Sequence, residues 1–203
     1  MSARFNLITL DPAGLGEYVK YVRTDIRPGI ESQRGSLGTS LYANPGLGTA
    51  VFESFWTSGE MLRASEQTVP PARREVLRRA AATFTVERYR VPVFELEDTP
   101  RAGAGLRLTR MDLYPGRVED AVQVYGDTAV PWLADAEGFC SALLLVDWDT
   151  GHAISETVWR DAQALAASRS TAAEVRAETV ALTGWEIRAV EEYSLVSSSA
   201  RKA

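Results

Sequence analysis

Hydrophobic and polar positions follow the periods of strands and helices in a regular order along the chain. Residues 4–10 alternate, which is typical of a half-buried strand, and residues 15–33 carry apolar side chains at helical spacing. The runs 36–43 and 49–56 flank an Asn-Pro-Gly loop, and this arrangement predicts a hairpin.

The same order of elements then follows a second time. A helix at 58–82 and a strand at 84–94 close the first series, which reads β-α-β-β-α-β. The second series is predicted as a strand at 106–113, a helix at 117–136, hairpin strands at 139–148 and 152–159, a helix at 161–182 and a strand at 185–196. Pro28 and Pro131 should end or kink the first helix of each series, because proline lacks an amide hydrogen.

The sequence also matches itself at a constant shift of 103 positions. Residues 5–65 lie over residues 108–168 without a gap. The identical pairs are Leu10/Leu113, Pro12/Pro115, Val19/Val122, Pro28/Pro131, Gly35/Gly138, Leu41/Leu144, Gly48/Gly151, Ala50/Ala153, Glu53/Glu156, Trp56/Trp159, Leu62/Leu165, Ala64/Ala167 and Ser65/Ser168. Each copy is far too long for a solenoid repeat, so we interpret the pattern as a tandem duplication of a small domain.

The order of elements in each copy is that of the ferredoxin-like split unit. Helices on one face of its four-stranded sheet leave the other face uncovered, and a second copy provides the simplest cover. We therefore predict an α+β fold in which two tandem ferredoxin-like units form an intramolecular dimeric α/β barrel. The predicted domains are 1–96 and 106–196, with a polar linker at 97–105 and a frayed tail at 197–203.

Composition narrows the classes of partner. The chain has 203 residues with 22 basic and 27 acidic side chains, and the resulting net charge of −5 disfavours a broad nucleic-acid surface. No apolar run reaches the ~20 residues of a membrane span, and no signal-peptide core precedes the first strand. We expect a cytoplasmic protein without nucleic-acid or membrane partners.

Few residues offer metal or cofactor chemistry. Cys140 is the only cysteine and has apolar neighbours, which favours a buried thiol over a nucleophile. His152 is the only histidine, so no histidine cluster can bind a metal, and its place at a hairpin favours an exposed turn residue over a catalytic role. The glycine pairs at 14–16 and 103–105 lack the dinucleotide fingerprint, so we expect no nucleotide cofactor.

Several motifs resemble one protein group, the antibiotic-biosynthesis monooxygenases of the dimeric α/β-barrel superfamily. Residues 6–14 (Asn-Leu-Ile-Thr-Leu-Asp-Pro-Ala-Gly) resemble its first strand and turn. Residues 35–38 and 137–139 resemble the entry to its second strand, and 53–56 and 156–159 resemble its third, which ends in tryptophan. The resemblance implies the fold more than the reaction, since members include monooxygenases, haem degraders, cyclases, isomerases and proteins without known activity.

The haem-degrading branch of this group is a poorer match. That branch uses an asparagine on the first strand, which Asn6 matches, together with a tryptophan and a histidine on the second helix. Neither residue type occurs in 58–82 or in 161–182. We therefore expect no haem degradation.

Two repeated glutamates are the main catalytic candidates. Glu53 and Glu156 stand on strand faces that are otherwise apolar. Such a carboxyl group either forms a structural ion pair, for example with Arg88 or Arg107, or acts as a general base that takes a phenolic or enolic proton.

The opposite strand faces end in Trp56 and Trp159, after small residues that could floor a cavity beneath the helices or belong to an ordinary core. Tyr18 and Tyr89 add aromatic surface suited to a flat ligand or to packing. Asn6 could orient a ligand carbonyl and is not repeated, because Thr109 takes its place, so we expect one working site in the first copy.

The resemblance, with these residues, implies a cofactor-independent monooxygenase acting on an aromatic or polyketide-like small molecule. Asn6 would orient the substrate, Glu53 or Glu156 would deprotonate it, and Trp56, Trp159, Tyr18 and Tyr89 would bind it. A cyclase or isomerase of the same fold and a non-catalytic binding or scaffold protein are the alternatives. Homodimerisation of the pseudo-dimeric chain also stays open.

Overall fold

The computed structural model describes residues 1–66, 82–114 and 116–201. The first series of elements begins with β1, and its first helix is divided into α1 and α2. Its elements are β1 (Ser2–Thr9), α1 (Leu15–Tyr21), α2 (Arg27–Glu31), β2 (Ser36–Asn44), β3 (Thr49–Trp56), α3 (Gly59–Ser65) and β4 (Thr83–Leu96). Most of the helix predicted at 58–82 lies outside the described residues, which include its first turns as α3.

The second series has the same order, and the predicted strands recur within two residues of their expected bounds. Its elements are β5 (Gly105–Asp112), α4 (Val118–Val124), α5 (Val130–Ala134), β6 (Phe139–Val146), β7 (His152–Trp159), α6 (Ala162–Ala167), α7 (Arg169–Thr183) and β8 (Glu186–Ser198). The helix predicted at 161–182 is interrupted at Ser168, where α6 ends and α7 begins.

Hydrogen bonding joins the eight strands of the described chain in the order β1-β3-β2-β8-β5-β7-β6-β4, which closes as a barrel. The described strand pairs are antiparallel, as in the pairs β1–β3, β2–β3, β5–β7 and β6–β7. The predicted α+β fold of ferredoxin-like units and a dimeric α/β barrel is thereby confirmed.

The chain divides into two compact units, the first of residues 1–88 and 195–203 and the second of residues 89–194. These bounds differ from the predicted domains at 1–96 and 106–196. The difference arises because the second part of β4 pairs with β6 inside the second unit, where Phe94 stands opposite Leu143.

The tail predicted to be frayed is hydrogen-bonded as far as the chain is described. The amide of Ser199 donates to the carbonyl of Thr39 over 2.8 Å, and the amide of Arg201 donates to that of Leu37 over 3.0 Å. The expectation of a frayed tail from residue 197 was wrong, because the backbone groups there extend the ladder on β2 in the first unit.

Neither proline ends its helix, because helical residues continue to Glu31 and Ala134. In each series a π-helical turn, Val22–Ile26 and Tyr125–Ala129, joins the two α segments just before the proline. The proline then stands in the first turn of the next segment, where an amide hydrogen is not needed. A π turn carries an extra residue and is often found at functional sites.

Two repeated glycines permit close contact between a strand and the following helix. Gly35 and Gly138 have φ angles of 81° and 82°, which favour glycine. A Cβ atom at Gly138 would lie 2.6 Å from the Cβ of Ala164, and one at Gly35 would lie 2.6 Å from the Cγ of Met61. These glycines are therefore needed for the framework of each unit.

Candidate functional site

The register of the second unit assigns the side chains of β7 to two faces of the sheet. Glu156 stands opposite Leu108 on β5 and Leu143 on β6. Its neighbours Ser155 and Thr157 point to the other face, since successive side chains on a strand alternate. That second face packs against the helices, and the core of the unit lies there.

A cleft opens between this helix-covered face and the helices of the second unit. Its lining comprises Arg107, Thr109, Met111, Tyr125, Ala129, Leu133, Ser155, Thr157, Ala172, Val175, Arg176, Thr179, Trp185 and Ile187. The narrow part of the cleft has a volume of about 30 Å³, and the empty space is about 430 Å³ when the open solvent at its mouth is included. The narrow part thus holds one or two waters.

The π turn of the second series brings a tyrosine to the floor of the cleft. Tyr125 begins the turn, and its hydroxyl donates to the carbonyl of Leu143 at 3.3 Å and lies 3.2 Å from the Oγ of Ser155. Burial raises the pKa of Tyr125, and the nearby charge of Glu156 raises it further, against a hydrogen bond with Ser155 that lowers it. Tyr125 is consequently a neutral hydrogen-bonding group at physiological pH.

A buried arginine forms one wall of the cleft. Arg107 is 3% exposed; its Nη1 donates to the Oγ of Ser168 at 2.9 Å and its Nη2 to the carbonyl of Leu165 at 2.8 Å. The same Nη2 lies 3.0 Å from the carboxylate of Glu192, which also accepts from Arg169 at 2.7 Å. Arg107 therefore fixes the end of α6 to the sheet and carries a positive charge into the cleft.

Burial lowers the pKa of the Arg107 guanidinium, and its bond to Glu192 raises it. Burial also lowers the pKa of Arg176, followed by the like charge of Arg107. The like charge of Arg107 thus acts on Arg176 in a partly buried environment, while the like charge that acts on Arg107 is that of Arg169.

The structure places the candidates of the first unit on opposite faces of its sheet. Asn6 stands opposite Phe52, and Trp56 lies on the same face, whereas Glu53 stands opposite Phe5 and Ser40 on the other face. A ligand on either face would therefore meet Asn6 or Glu53 but not both. Tyr18 is buried in the core that also contains Phe52.

The polar groups of Asn6 and of both tryptophans have hydrogen-bond partners within the protein. The Nδ2 of Asn6 donates to the carbonyl of Phe52 at 2.8 Å. The indole N–H of Trp56 donates to Ser54, and that of Trp159 donates to Thr157, each at 3.1 Å. The tryptophans are fully buried. Asn6 and the tryptophan indoles are thus engaged with their own sheets.

Glu156 and Tyr89 complete the set of predicted site residues. Glu53 and Glu156 are 0% and 1% exposed, and Tyr89 is also buried. None of the seven predicted residues belongs to the lining of the cleft in the second unit. The side chain of Thr157, which accepts from Trp159, connects that tryptophan to the cleft.

The suggested arginine partners of the glutamates are engaged elsewhere. Arg88 pairs with Glu66 at 2.6 Å and Arg107 pairs with Glu192. Arg107 stands opposite Thr157 in the register and so lies on the face of the sheet away from Glu156. An Arg107–Glu156 pair was therefore a wrong expectation, since the alternation of side chains separates the two.

The sequence interpretation missed Arg107 as a lining residue, although a signal was present. Arg4 and Arg107 are identical at the shift of 103, just before the matched segment. Arg4 donates to the carbonyl of Leu62 at 2.8 Å and to Ser65, which are the counterparts of Leu165 and Ser168. Extending the comparison by one position would have found this repeated arginine.

The remaining candidates lie apart from the cleft. His152 is exposed at the start of β7, and its Nδ1 lies 2.8 Å from the carboxylate of Asp112. Cys140 is buried, as expected, and burial raises the pKa of its thiol. No described helix is both long and apolar enough to cross a membrane.

Comparison with known proteins yields relatives without an assigned activity. No family model matches the chain. It is 28% identical over 200 residues to the uncharacterized protein Rv2558 of Mycobacterium tuberculosis, covering 98% of this chain and 85% of the relative. It is 26% identical over 168 residues to Rv2557 of the same organism, covering 83% and 75%.

Solved structures share the fold at low sequence identity. An anthrone oxidase-like protein matches with a TM-score of 0.70 and 16% identity, covering 97% of this chain and 92% of its own. A Listeria monocytogenes ferredoxin-fold protein related to antibiotic biosynthesis monooxygenases matches at 0.55 and 10%, covering 96% and 95%. The heme-degrading enzyme LmHde of Listeria monocytogenes matches at 0.54 and 10%, covering 95% and 98%. The chain therefore has the monooxygenase-like dimeric α/β-barrel fold, as its motifs implied.

The residues of the cleft do not suit the haem chemistry of the last of these neighbours. The lining includes no histidine, and His152 lies at the surface beside Asp112. An axial imidazole, the ligand that the haem-degrading branch uses, is thus missing from this cleft.

Proposed function

We propose that the chain is an oxidoreductase of the monooxygenase-like type, with an aromatic or polyketide-like substrate bound in the cleft of the second unit. The observation that carries this proposal is the composition of the cleft. Apolar side chains such as Leu133 and Trp185 surround hydroxyl groups and two arginines, in a concave site between sheet and helices. Such a mixture of apolar surface and a few polar groups is typical of small-molecule sites.

The charges of the cleft support chemistry that begins with an anion. Arg107 and Arg176 would stabilise a phenolate or enolate, so that a bound phenol or enol gives up its proton to water at the open mouth. The hydroxyls of Ser155 and Tyr125 would orient its oxygen. The electron-rich anion then reacts with O₂: a ring methylene loses two hydrogens, one oxygen atom becomes a carbonyl and the other leaves as water.

The fold neighbours support the same reaction class without identifying a substrate. The anthrone oxidase-like structure and the relative of antibiotic biosynthesis monooxygenases both share the architecture. Asn6, Glu53 and Glu156 stay predicted catalytic residues, with Trp56, Trp159, Tyr18 and Tyr89 as predicted binding residues. Self-association and a cytoplasmic location also stay predictions.

Oxygen consumption with a panel of phenols and anthrones tests the proposal. Ser155→Phe introduces phenylalanine, the residue that the first unit has at the matching position, Phe52. The larger side chain should fill the cleft, so turnover is expected to fall at least tenfold. Ser170→Phe makes the same change at an exposed position of α7 and should leave turnover unchanged. A folded Ser155→Phe protein with full turnover would contradict a substrate site in this cleft.

The predicted residues are tested in the same assay. Asn6→Ala, Glu53→Gln and Glu156→Gln each remove one predicted role. The glutamine substitutions keep the size of the side chain, and Asn6→Ala shortens it. If turnover depends on Asn6 or Glu53 and is indifferent to Ser155→Phe, the reaction takes place in the first unit. Product analysis separates oxygenation from cyclisation or isomerisation, since only oxygenation consumes O₂.

A second candidate function is ligand binding without catalysis. The lining contains neither a carboxylate nor an imidazole, the side chains that most often serve as general bases. A binding protein would show ligand-dependent thermal stabilisation with neither O₂ uptake nor a new product. Thermal unfolding and product analysis with one ligand panel therefore decide between the two functions.

A further inference from the structure

We propose that the cleft of the second unit selects an aromatic carboxylate, with Arg176 as the side chain that binds the acidic group and Arg107 as a fixed positive charge beside it. This inference rests on the proposed use of the cleft as a substrate site and names the class of substrate. It is carried by the arrangement of arginines around the cleft.

The first step of the argument is that Arg107 is held in place by hydrogen bonds from three of its five N–H groups. Its two terminal nitrogens donate to Ser168, to the carbonyl of Leu165 and to Glu192. The guanidinium is therefore held in one position by α6 and β8. It contributes charge to the cleft at a fixed position, while a guanidinium that can turn toward a ligand must come from another arginine.

Arg176 is that donor. It extends from α7 into the lining of the cleft and is partly buried. It forms no ion pair with any other residue in the described part of the chain. A planar guanidinium with several donors binds a carboxylate in a two-point geometry, which lysine cannot reproduce.

The arginines beside the cleft share one carboxylate. Arg107 and Arg169 both pair with Glu192, whereas Arg176 is acted on by the charges of Arg107 and Glu192 without an ion pair of its own in the described part of the chain. Burial, followed by the charge of Arg107, lowers the pKa of Arg176, against an opposing effect of the charge of Glu192. A bound anion would remove this repulsion, whereas a cationic ligand would increase it.

The remaining lining fits the rest of such a ligand. Trp185 is 5% exposed, and its indole N–H has no acceptor among the described residues, so it is available to a ligand oxygen. Met111, Leu133 and Ile187 offer apolar contacts to an aromatic ring. The narrow part of the cleft, about 30 Å³, would take the carboxylate group, and the ring would lie at the open mouth.

Calorimetric binding of matched acid and amide pairs tests the inference. The probes are benzoate, salicylate and 1-naphthoate, each beside its primary amide, with the purified full chain. At least one acid should bind ten times more tightly than its amide, and its affinity should fall as salt rises. If no acid binds more tightly than its amide, the inference is wrong.

Three variants at two arginines locate the effect. Arg176→Gln should weaken binding of the acid at least tenfold and leave the amide unaffected, and Arg176→Lys should restore only part of the loss. Arg188→Gln removes the same charge from an arginine paired with Asp112 outside the cleft, and acid binding should be unchanged. An unchanged affinity in Arg176→Gln would overturn the assignment.

The outcomes also separate this inference from the proposed function. Acids that bind through Arg176 but are not converted, while O₂ is not consumed, would contradict the oxidoreductase and leave the acid selectivity standing. Turnover of neutral substrates in the cleft, unaffected by Arg176→Gln, would support the oxidoreductase and contradict the acid selectivity.

Discussion

The two units differ in the side chains at two pairs of positions that correspond at the shift of 103 residues. In the first unit, Phe52 on β3 and Val22 of the π turn are buried together in an apolar core. In the second, Ser155 on β7 and Tyr125 of the π turn take their places, and both line the cleft. The first unit has its aromatic ring on the strand and the second has it on the π turn, and the second unit has a hydroxyl group at both positions. At these two positions the first unit thus has apolar side chains in a core, whereas the second unit has hydroxyl-bearing side chains that line the cleft.

The framework itself is alike in the two units. Arg4 and Arg107 each donate to a carbonyl and a serine at the end of the following helix, α3 or α6. Their carboxylate partners differ, with Glu66 beside Arg4 and Glu192 beside Arg107. Features that repeat therefore hold helix to sheet, and features that differ determine what the helix-covered face can bind.

The largest expected effect concerns the aromatic ring of the first unit. Phe52→Ala should lower the free energy of unfolding by about 4 kcal/mol, because it removes buried apolar surface and leaves a cavity. Ser155→Ala at the matching position should change it by less than about 1 kcal/mol. Urea denaturation measures both. Equal losses would contradict the contrast between core and cleft.

The repeated arginines should come next. Arg107→Ala is expected to cost about 3 kcal/mol, since Ser168 and the Leu165 carbonyl lose a buried charged partner. Arg4→Ala should cost a similar amount if both serve the framework. Thermal unfolding provides the comparison, and Arg160→Ala, at an exposed arginine, is the control. A loss confined to one unit would show that the arginines do not have the same role.

A smaller effect is expected from the tyrosine hydroxyl. Tyr125→Phe removes the bonds to Leu143 and Ser155 and should cost about 1 kcal/mol of stability. Tyr114→Phe, at an exposed tyrosine, should cost little. If Tyr125→Phe instead stabilises the protein, the hydroxyl is maintained for a ligand rather than for the fold.

The smallest effect is a dependence on pH. The hydrogen bond from Arg169, followed by that from Arg107, lowers the pKa of Glu192 against the opposing effect of burial. A lowered pKa stabilises the fold above the usual glutamate pKa, and this contribution is lost as the pH falls through the folded value. Glu192→Gln should therefore flatten the decline in stability below about pH 5, by about 1 kcal/mol or less for this partly exposed pair.

Glu66→Gln provides the matched change in the first unit. A hydrogen bond from Arg88 lowers the pKa of Glu66, so the sign of the effect is the same. Thermal unfolding between pH 3 and pH 7 compares the two variants. A steeper decline in either variant than in the unmodified protein would contradict the assigned ion pairs.

The sequence predicted the elements well where their periodicity was clear. The strands Thr49–Trp56 and His152–Trp159 have the bounds expected of them, and the β-α-β-β-α-β order led to the fold. The π turns were not anticipated, because the hydrophobic spacing of 15–33 and 117–136 fits a continuous helix. A proline near the end of such a helix predicts an interruption but not its form.

The candidate site was harder to predict from the sequence than the fold. Alternation along β7 correctly indicated that Glu156 and Thr157 point to opposite faces. It also gave the possibility of a cavity floored by the small residues before Trp159, and Ser155 and Thr157 do line the cleft. Arg176 carried no signal, because an arginine on an amphipathic helix is usually a solvated surface residue.

The sequence by itself determined the order of elements, the faces of the strands and the framework positions, because these depend on local periodicity and on a repeat. Only the tertiary structure decided which polar groups meet. Arg107, Arg176 and Tyr125 are far apart in the chain, and packing of helices on the sheet brings them to one cleft. The combination of two positive charges and a tyrosine hydroxyl in one cleft depends on that packing, which no periodicity along the chain encodes.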